Sequence, residues 1–121
     1  MQKVNIRANN IELTSSIEDY IKKKTDSFNK YLEGDSVARL YVEISKTTEH
    51  HKNGEIFRAE FNLEMSGGTL RSEAEGIDLF SALDEAKDEL LAEIRKNKDK
   101  RMTLFRDGYR KVKDFLKRFN D

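Results

Sequence analysis

Cysteine, proline and tryptophan are all missing from this chain of 121 residues. Without cysteine there can be no disulfide, no thiolate metal ligand and no cysteine nucleophile. Long apolar runs are also missing: none approaches the roughly 20 residues of a membrane span, and the N-terminus lacks the apolar segment of a secretion signal. We therefore expect a soluble, cytoplasmic protein with no membrane partner.

Groups that carry catalysis are scarce as well. The two histidines, His50 and His51, are adjacent in a predicted loop, where two rings rarely reach one ion, so we expect a solvated turn and no metal site. They have no evident partner for activating a serine, and the acidic pairs lie on predicted outward faces, where nothing implies a raised pKa. The pair Gly67-Gly68 is too short for a phosphate-binding loop. The sequence therefore predicts no enzyme, no cofactor and no small-molecule substrate.

Apolar residues recur with two different periods along the chain. Alternation of apolar and polar residues predicts four β-strands. We place them at residues 3–8, 37–46, 57–65 and 69–75. Helical spacing predicts one helix that begins at Thr14 or Ser15 and ends at Gly34. It predicts a second helix that is N-capped by Asp78 and runs toward Lys100.

The order of these elements, β-α-β-β-β-α, defines an α+β fold. We expect a four-stranded, mainly antiparallel sheet with two helices packed on one face and the other face exposed to water. Beyond residues 102–104 the pattern predicts a separate, shorter amphipathic helix, within which Gly108 makes the start ambiguous. The sequence thus predicts an α+β domain over residues 1–101 and a basic amphipathic tail over residues 102–121.

The charge of the chain is balanced only on average. Its 23 basic and 23 acidic residues cancel, yet residues 95–121 carry 11 Lys or Arg and four Asp, a net charge of +7. The first 94 residues carry the compensating −7. Such asymmetry is typical of a segment that binds a polyanion. A plain solvated helix end is the alternative.

Basic residues concentrate on the predicted helices. Two helices on the same face of a sheet would place two basic ridges side by side, with a groove between them that follows a phosphate backbone. Lysines that only offset a helix dipole would explain one or two of these positions, but not a whole cluster. The candidate phosphate-binding residues are Lys22, Lys23, Lys24 and Lys30 of the first helix, Arg95, Lys96, Lys98, Lys100 and Arg101 of the second, and Arg110, Lys111 and Lys113 of the tail.

Several segments resemble the ribosome hibernation promoting factor family, also described as ribosome-associated inhibitors, in its short form. The likeness covers about residues 4–100. Its most specific segment is residues 78–84 (DLFSALD), which look like the family's Asp-Met-Tyr-x-Ala-Ile-Asp start of the second helix. Residues 95–100 (RKNKDK) resemble its basic helix end. The likeness also includes residues 4–6 (VNI), 11–14 (IELT) and 68–74 (GTLRSEA), and the lysines of the first helix with Tyr31.

The resemblance implies a fold similar to double-stranded-RNA-binding domains. It implies a stress-response protein that binds the small ribosomal subunit and its rRNA in the channel for mRNA and tRNA, and so inhibits translation sterically. Pairing of ribosomes, which long-form members achieve through a second domain, is not implied, and we expect a monomer off the ribosome. The usual basic positions of the family match Lys24, Lys30, Lys96, Lys98 and Lys100. Basic or amide-bearing family positions are replaced here by Ser27, Glu89 and Ala92.

Two other classes of function are open at this point. A generic double-stranded-RNA- or nucleic-acid-binding module of the same fold would bind any duplex with comparable affinity. An interaction protein would use residues 109–119 of the tail to bind an anionic membrane or the groove of a partner protein. Binding to ribosomal subunits, to bare duplex and to vesicles separates the three.

Overall fold

The computed structural model describes residues 3–48 and 54–119. For Thr48 and for residues 98–107, 109, 118 and 119 it describes the backbone alone. The two histidines, His50 and His51, lie outside the described residues, so the solvated turn stays a prediction.

The segment that follows the first strand differs from the single helix predicted. It contains helix α1 (Ser15–Thr25), a 3-10 turn (Asp26–Phe28) and a short helix α2 (Asn29–Leu32). The break coincides with the hydroxyl of Thr25, whose Oγ1 donates to the backbone carbonyl of Ile21 at 2.9 Å. Such side-chain bonds compete with the helical ladder and disturb its regular continuation.

Four strands form one sheet in the order β1-β2-β3-β4. Strand β1 lies parallel to β2, and the other neighbours are antiparallel. A parallel pair needs a crossover connection, which α1 and α2 supply here. The sequence-based expectation of an α+β fold with a four-stranded, mainly antiparallel sheet is confirmed. The strands are β1 (Lys3–Asn9), β2 (Arg39–Thr48), β3 (Glu55–Met65) and β4 (Gly68–Gly76).

Both long helices begin at capping residues that the sequence indicated. Thr14 caps α1, and its side chain accepts a hydrogen bond from the amide of Ile17 at 3.2 Å. The last helix, α3 (Leu79–Phe119), follows Asp78, whose Oδ1 accepts from the amide of Ser81 at 2.8 Å. These bonds satisfy amides that have no partner within a helix. The bond from the Ser81 amide also lowers the pKa of the Asp78 carboxyl.

The last helix is one continuous element of 41 residues. The break predicted near residues 102–104 is therefore wrong, and the helix also passes through Gly108. A glycine inside a helix costs only about 1 kcal/mol relative to alanine, which its neighbours offset. A helix of this length spans roughly 60 Å. The division into a domain and a tail as functional units stays a prediction.

The hydrophobic core lies between one face of the sheet and the helices. Inward-facing residues of the central strands, such as Leu40 and Leu63, are fully buried, as the alternation predicted. The buried hydroxyl of Ser72 donates to the carbonyl of Ala86 at 2.7 Å, so β4 and α3 are also joined by a satisfied polar contact. The helix α3 contributes Leu79, Ala82, Leu83, Ala86, Leu90 and Ile94 to this core.

Leu90 and Leu116 lie on the same helix in opposite environments, 0% and 55% exposed. We expect Leu90→Ala to lower the free energy of unfolding by about 2–5 kcal/mol, because it removes buried methyl groups and leaves a cavity. The matched change Leu116→Ala should alter it by less than about 0.5 kcal/mol. Denaturant titration followed by circular dichroism measures both values, and equal losses would contradict this description of the core.

Candidate nucleic-acid interface

The helices that cover the sheet run side by side. Two hydrogen bonds join them, one from Tyr20 to Asp84 and one from Arg95 to Tyr31. Both pairs are separated by the same 64 residues along the chain. The segment α1–α2 and the first part of α3 therefore run parallel to each other. This alignment brings the two predicted basic surfaces next to each other.

Asp84 is the centre of the first contact between the helices. Its Oδ1 accepts a hydrogen bond from the Tyr20 hydroxyl at 2.6 Å and lies 3.6 Å from Nζ of Lys24. The Tyr20 ring packs edge-on against Phe80, with ring centroids 4.7 Å apart. Burial and the hydrogen bond to Asp84 raise the pKa of Tyr20 to about 12. Lys24 therefore already has a carboxylate partner within the protein.

Tyr31 is the centre of the second contact. Its hydroxyl accepts a hydrogen bond from Nε of Arg95 at 3.0 Å. Nζ of Lys30 lies 5.0 Å from the centroid of the Tyr31 ring, and Cζ of Arg95 lies 5.9 Å from it. The bond from Arg95 lowers the pKa of Tyr31. Two cations from two helices thus meet at one aromatic ring.

Most of the predicted phosphate-binding residues reach the surface. Lys24 is half-buried against α3, and Lys22 pairs with Glu18 at 2.9 Å within α1. The backbone of α3 carries Lys98, Lys100 and Arg101, whose side chains are not described. The exposed candidates are Lys22, Lys23, Lys30, Arg95, Lys96, Arg110, Lys111 and Lys113.

On the sheet face that the helices leave uncovered, two arginines are paired with carboxylates, unlike several cations on the helices. Glu73 accepts hydrogen bonds from both Arg58 and Arg71, and Glu60 lies 3.0 Å from Nε of Arg71. These arginines are therefore already neutralised by carboxylates of their own sheet. A hydrogen bond from Asn62, together with the arginines, lowers the pKa of Glu60 and keeps it ionised. On the helix side, no carboxylate with a described side chain pairs with Lys23, Lys30, Arg95 or Lys96.

Three departures from the resembled family lie on or beside the ridges. Ser27 donates to the carbonyl of Lys24 at 3.1 Å and so serves the local backbone. Glu89 and Ala92 are exposed on α3. The outer side of α3 therefore has no positive charge at these two positions, and its next basic residue is Arg95.

Sequence reasoning noted Tyr31 and Asp84 only as parts of the family resemblance, and it missed Tyr20 and the contacts through which all three organise this surface. Tyr20, Asp84 and Tyr31 act through contacts between residues 64 positions apart, and no pattern in a single sequence links such residues. Lys87 was also missed, although it follows Asp84 by three positions on the same side of the helix. Its side chain is 19% exposed and lies 3.5 Å from Asp88.

Two further observations apply to the part of the chain that the structure describes. No three or more histidine, aspartate or glutamate side chains come together in a way that could hold a metal ion. No helix there is both long enough and apolar enough to cross a membrane.

Both the fold and the sequence of this chain are similar to those of known bacterial proteins. It is similar to the N-terminal domain of Protein Y from Thermus thermophilus, with a TM-score of 0.62 and 27% identity over 79% of this chain and 98% of that one. The ribosome hibernation promoting factor of Escherichia coli K12 is 28% identical over 98 residues, which cover 81% of this chain and 95% of the relative. The ribosome hibernation promotion factor of Bacillus subtilis is 30% identical over 103 residues, which cover 85% of this chain and 52% of the relative.

Residues 4–102 match the family described as Sigma 54 modulation protein / S30EA ribosomal protein. The chain belongs to this family. Its curated relatives carry the name of ribosome hibernation factors, which confirms the resemblance found in the sequence. The matched region contains both helix contacts and ends before the exposed cations at residues 110–113.

The bond between Tyr20 and Asp84 should make stability depend on pH at the alkaline end. A phenol whose pKa is raised from 10.0 to about 12 keeps its proton in the folded state, while the unfolded chain loses it. The stabilisation is therefore fully present below pH 10 and is lost as the pH rises toward 12. We expect the native protein to have a higher unfolding midpoint than Tyr20→Phe. The difference between the two midpoints should be constant near neutral pH and should become smaller above pH 10. Urea titrations across this range measure the difference, and a constant difference throughout would contradict it.

Proposed function

We propose that this chain is a ribosome hibernation factor that binds the small ribosomal subunit, occupies the channel for mRNA and tRNA, and inhibits translation by steric exclusion. The observation that carries this proposal is a surface on parallel helices, in a member of the S30EA family, where Lys23, Lys30, Arg95 and Lys96 are exposed and pair with no carboxylate whose side chain is described. The names of the curated relatives support hibernation. The place of binding within the subunit comes from the family resemblance. The chain would act in the cytoplasm and be a monomer off the ribosome.

The distribution of charge supports rRNA as the partner. Phosphate groups attract exposed lysine and arginine, and binding releases the counterions that surround the RNA. On the sheet face Arg58 and Arg71 are held by Glu60 and Glu73, and that face would repel phosphate. The helix side therefore has the better electrostatic match to RNA.

The proposed inhibition needs no chemical step. A protein that fills a channel excludes mRNA and tRNA for as long as it stays bound, so its effect follows occupancy and not turnover. Inhibition of translation should therefore saturate near one protein per ribosome, and a strongly substoichiometric effect would indicate an enzyme instead.

Co-sedimentation with small subunits, large subunits and bare duplex RNA tests the proposal. We expect preferential binding to small subunits, with log affinity falling steeply against log salt, as about five phosphate contacts require. Preloading the subunits with mRNA and tRNA should weaken binding, because both ligands would compete for one channel. A flat salt dependence, or binding that preloading leaves unchanged, would contradict the proposal.

A generic duplex-binding module is the second candidate. Contacts to phosphates carry no sequence information, so the same cations would follow any A-form duplex. This candidate requires comparable affinity for bare duplex and for small subunits. The duplex arm of the co-sedimentation experiment therefore decides between the two.

The C-terminal part of α3 presents both charge and apolar surface, and two variants separate their roles. If this part binds RNA, replacing Arg110, Lys111 and Lys113 with Ala should weaken subunit binding and lower the salt slope by up to about three units. The double change Val112→Ser and Leu116→Ser, at two side chains that are more than half exposed, should then weaken subunit binding less than the alanine variant does. Circular dichroism checks that both variants keep the helix. A larger loss from the serine variant would instead indicate that this part binds a protein or a membrane.

A further inference from the structure

The seam between α2 and α3 brings together three side chains whose combination suggests a defined ligand. Tyr31 packs its ring against the hydrophobic core, which holds its hydroxyl at the surface. That hydroxyl accepts the Nε–H of Arg95 at 3.0 Å. The guanidinium of an exposed arginine is thereby tied to a partly buried residue of the neighbouring helix.

This bond determines which part of Arg95 stays available. The guanidinium has five N–H donors in a fixed planar arrangement, and Tyr31 takes the one on Nε. No carboxylate with a described side chain pairs with the two terminal nitrogens. An arginine held in place loses less side-chain entropy when a ligand binds, which favours two-point recognition of a phosphate.

Lys30 supplies a second positive charge at the same ring. Its Nζ lies 5.0 Å from the centroid of Tyr31, which Cζ of Arg95 approaches to 5.9 Å. The other contact between the helices has the opposite character, since Lys24 there lies 3.6 Å from the carboxylate of Asp84. Positive charge without a carboxylate partner is thus concentrated at the contact between α2 and α3, around Tyr31, and not at the contact between α1 and α3.

We propose that Lys30, Tyr31 and Arg95 form a phosphate subsite, which binds one phosphodiester group of RNA between the Lys30 ammonium and the terminal nitrogens of Arg95. Tyr31 is the positioning residue, because its hydroxyl holds the guanidinium. The subsite rests on the proposed function and deepens it. At position 92 the family usually has a basic or amide-bearing residue, and this chain has Ala92. Arg95 would supply a phosphate contact about one helical turn further along α3.

Three variants separate positioning from charge. Tyr31→Phe keeps the ring and removes only the hydroxyl, and it should weaken binding to small subunits about threefold to tenfold. Arg95→Gln removes the charge, and it should weaken binding about tenfold and lower the salt slope by about one unit. In the Arg95→Gln background, Tyr31→Phe should add a clearly smaller loss than in the native chain, because the hydroxyl then has no guanidinium to position and keeps only its contact with Lys30.

Arg39→Gln is the matched control for charge. Arg39 is exposed on β2 between two buried residues, so it faces away from the helices, and the change removes the same charge. It should leave affinity within about twofold, since screening limits its effect to nearby phosphates. Titration of the phenols gives a readout without ribosomes: the pKa of Tyr31, which Arg95 lowers, should rise toward its ordinary value in Arg95→Gln.

The outcomes distinguish the subsite from the function on which it rests. Equal losses from Arg39→Gln and Arg95→Gln, or a full additional loss from Tyr31→Phe in the Arg95→Gln background, would overturn the subsite and leave the hibernation proposal standing. A native chain that binds no small subunits would refute the proposed function itself. Unchanged unfolding midpoints in all variants exclude misfolding as the cause of any loss.

Discussion

Covering the apolar face of the sheet is the constraint on which this structure depends. Leu40 and Leu63 from the strands and Leu90 from α3 have no exposed surface, and burial of such a side chain stabilises a fold by about 1.5–3 kcal/mol. Because the helices place their apolar side against the sheet, their charged residues must lie on the outer side. The basic ridges are therefore a consequence of packing as well as a candidate binding surface.

The part of the fold that the sequence predicts is the part set by local interactions. Alternation decides the face of each strand residue, and capping at Thr14 and Asp78 depends on amides within three positions. The break in the first helix lies next to Thr25, whose hydroxyl bonds to backbone carbonyls of the preceding turn, and helix propensity does not include such bonds. The continuity of α3 through Gly108 also escapes local rules, since glycine favours an end but the flanking residues favour continuation.

The candidate site is predictable in its residue types but not in its geometry. Lys24, Lys30 and Arg95 are recognisable as helical cations in the sequence alone. Their different availability depends on Asp84, which pairs with Lys24, and on Tyr31, which holds Arg95 without neutralising it. Those partners come from the parallel alignment of the helices, and that alignment is a property of the packed structure.

A net charge of zero would by itself give no reason for attraction to a polyanion. Charges in solution, however, interact over a Debye length of about 8 Å at physiological ionic strength. Because a helix is roughly 10 Å wide, a phosphate at Lys30 and Arg95 is screened from Glu60 and Glu73 on the far side of the sheet. The same reasoning applies along α3, where Lys113 lies about 27 Å from Arg95. The ridge and the C-terminal cations therefore act as separate positive patches that one continuous helix holds at a fixed spacing, so that their contacts with RNA add without repulsion between the patches.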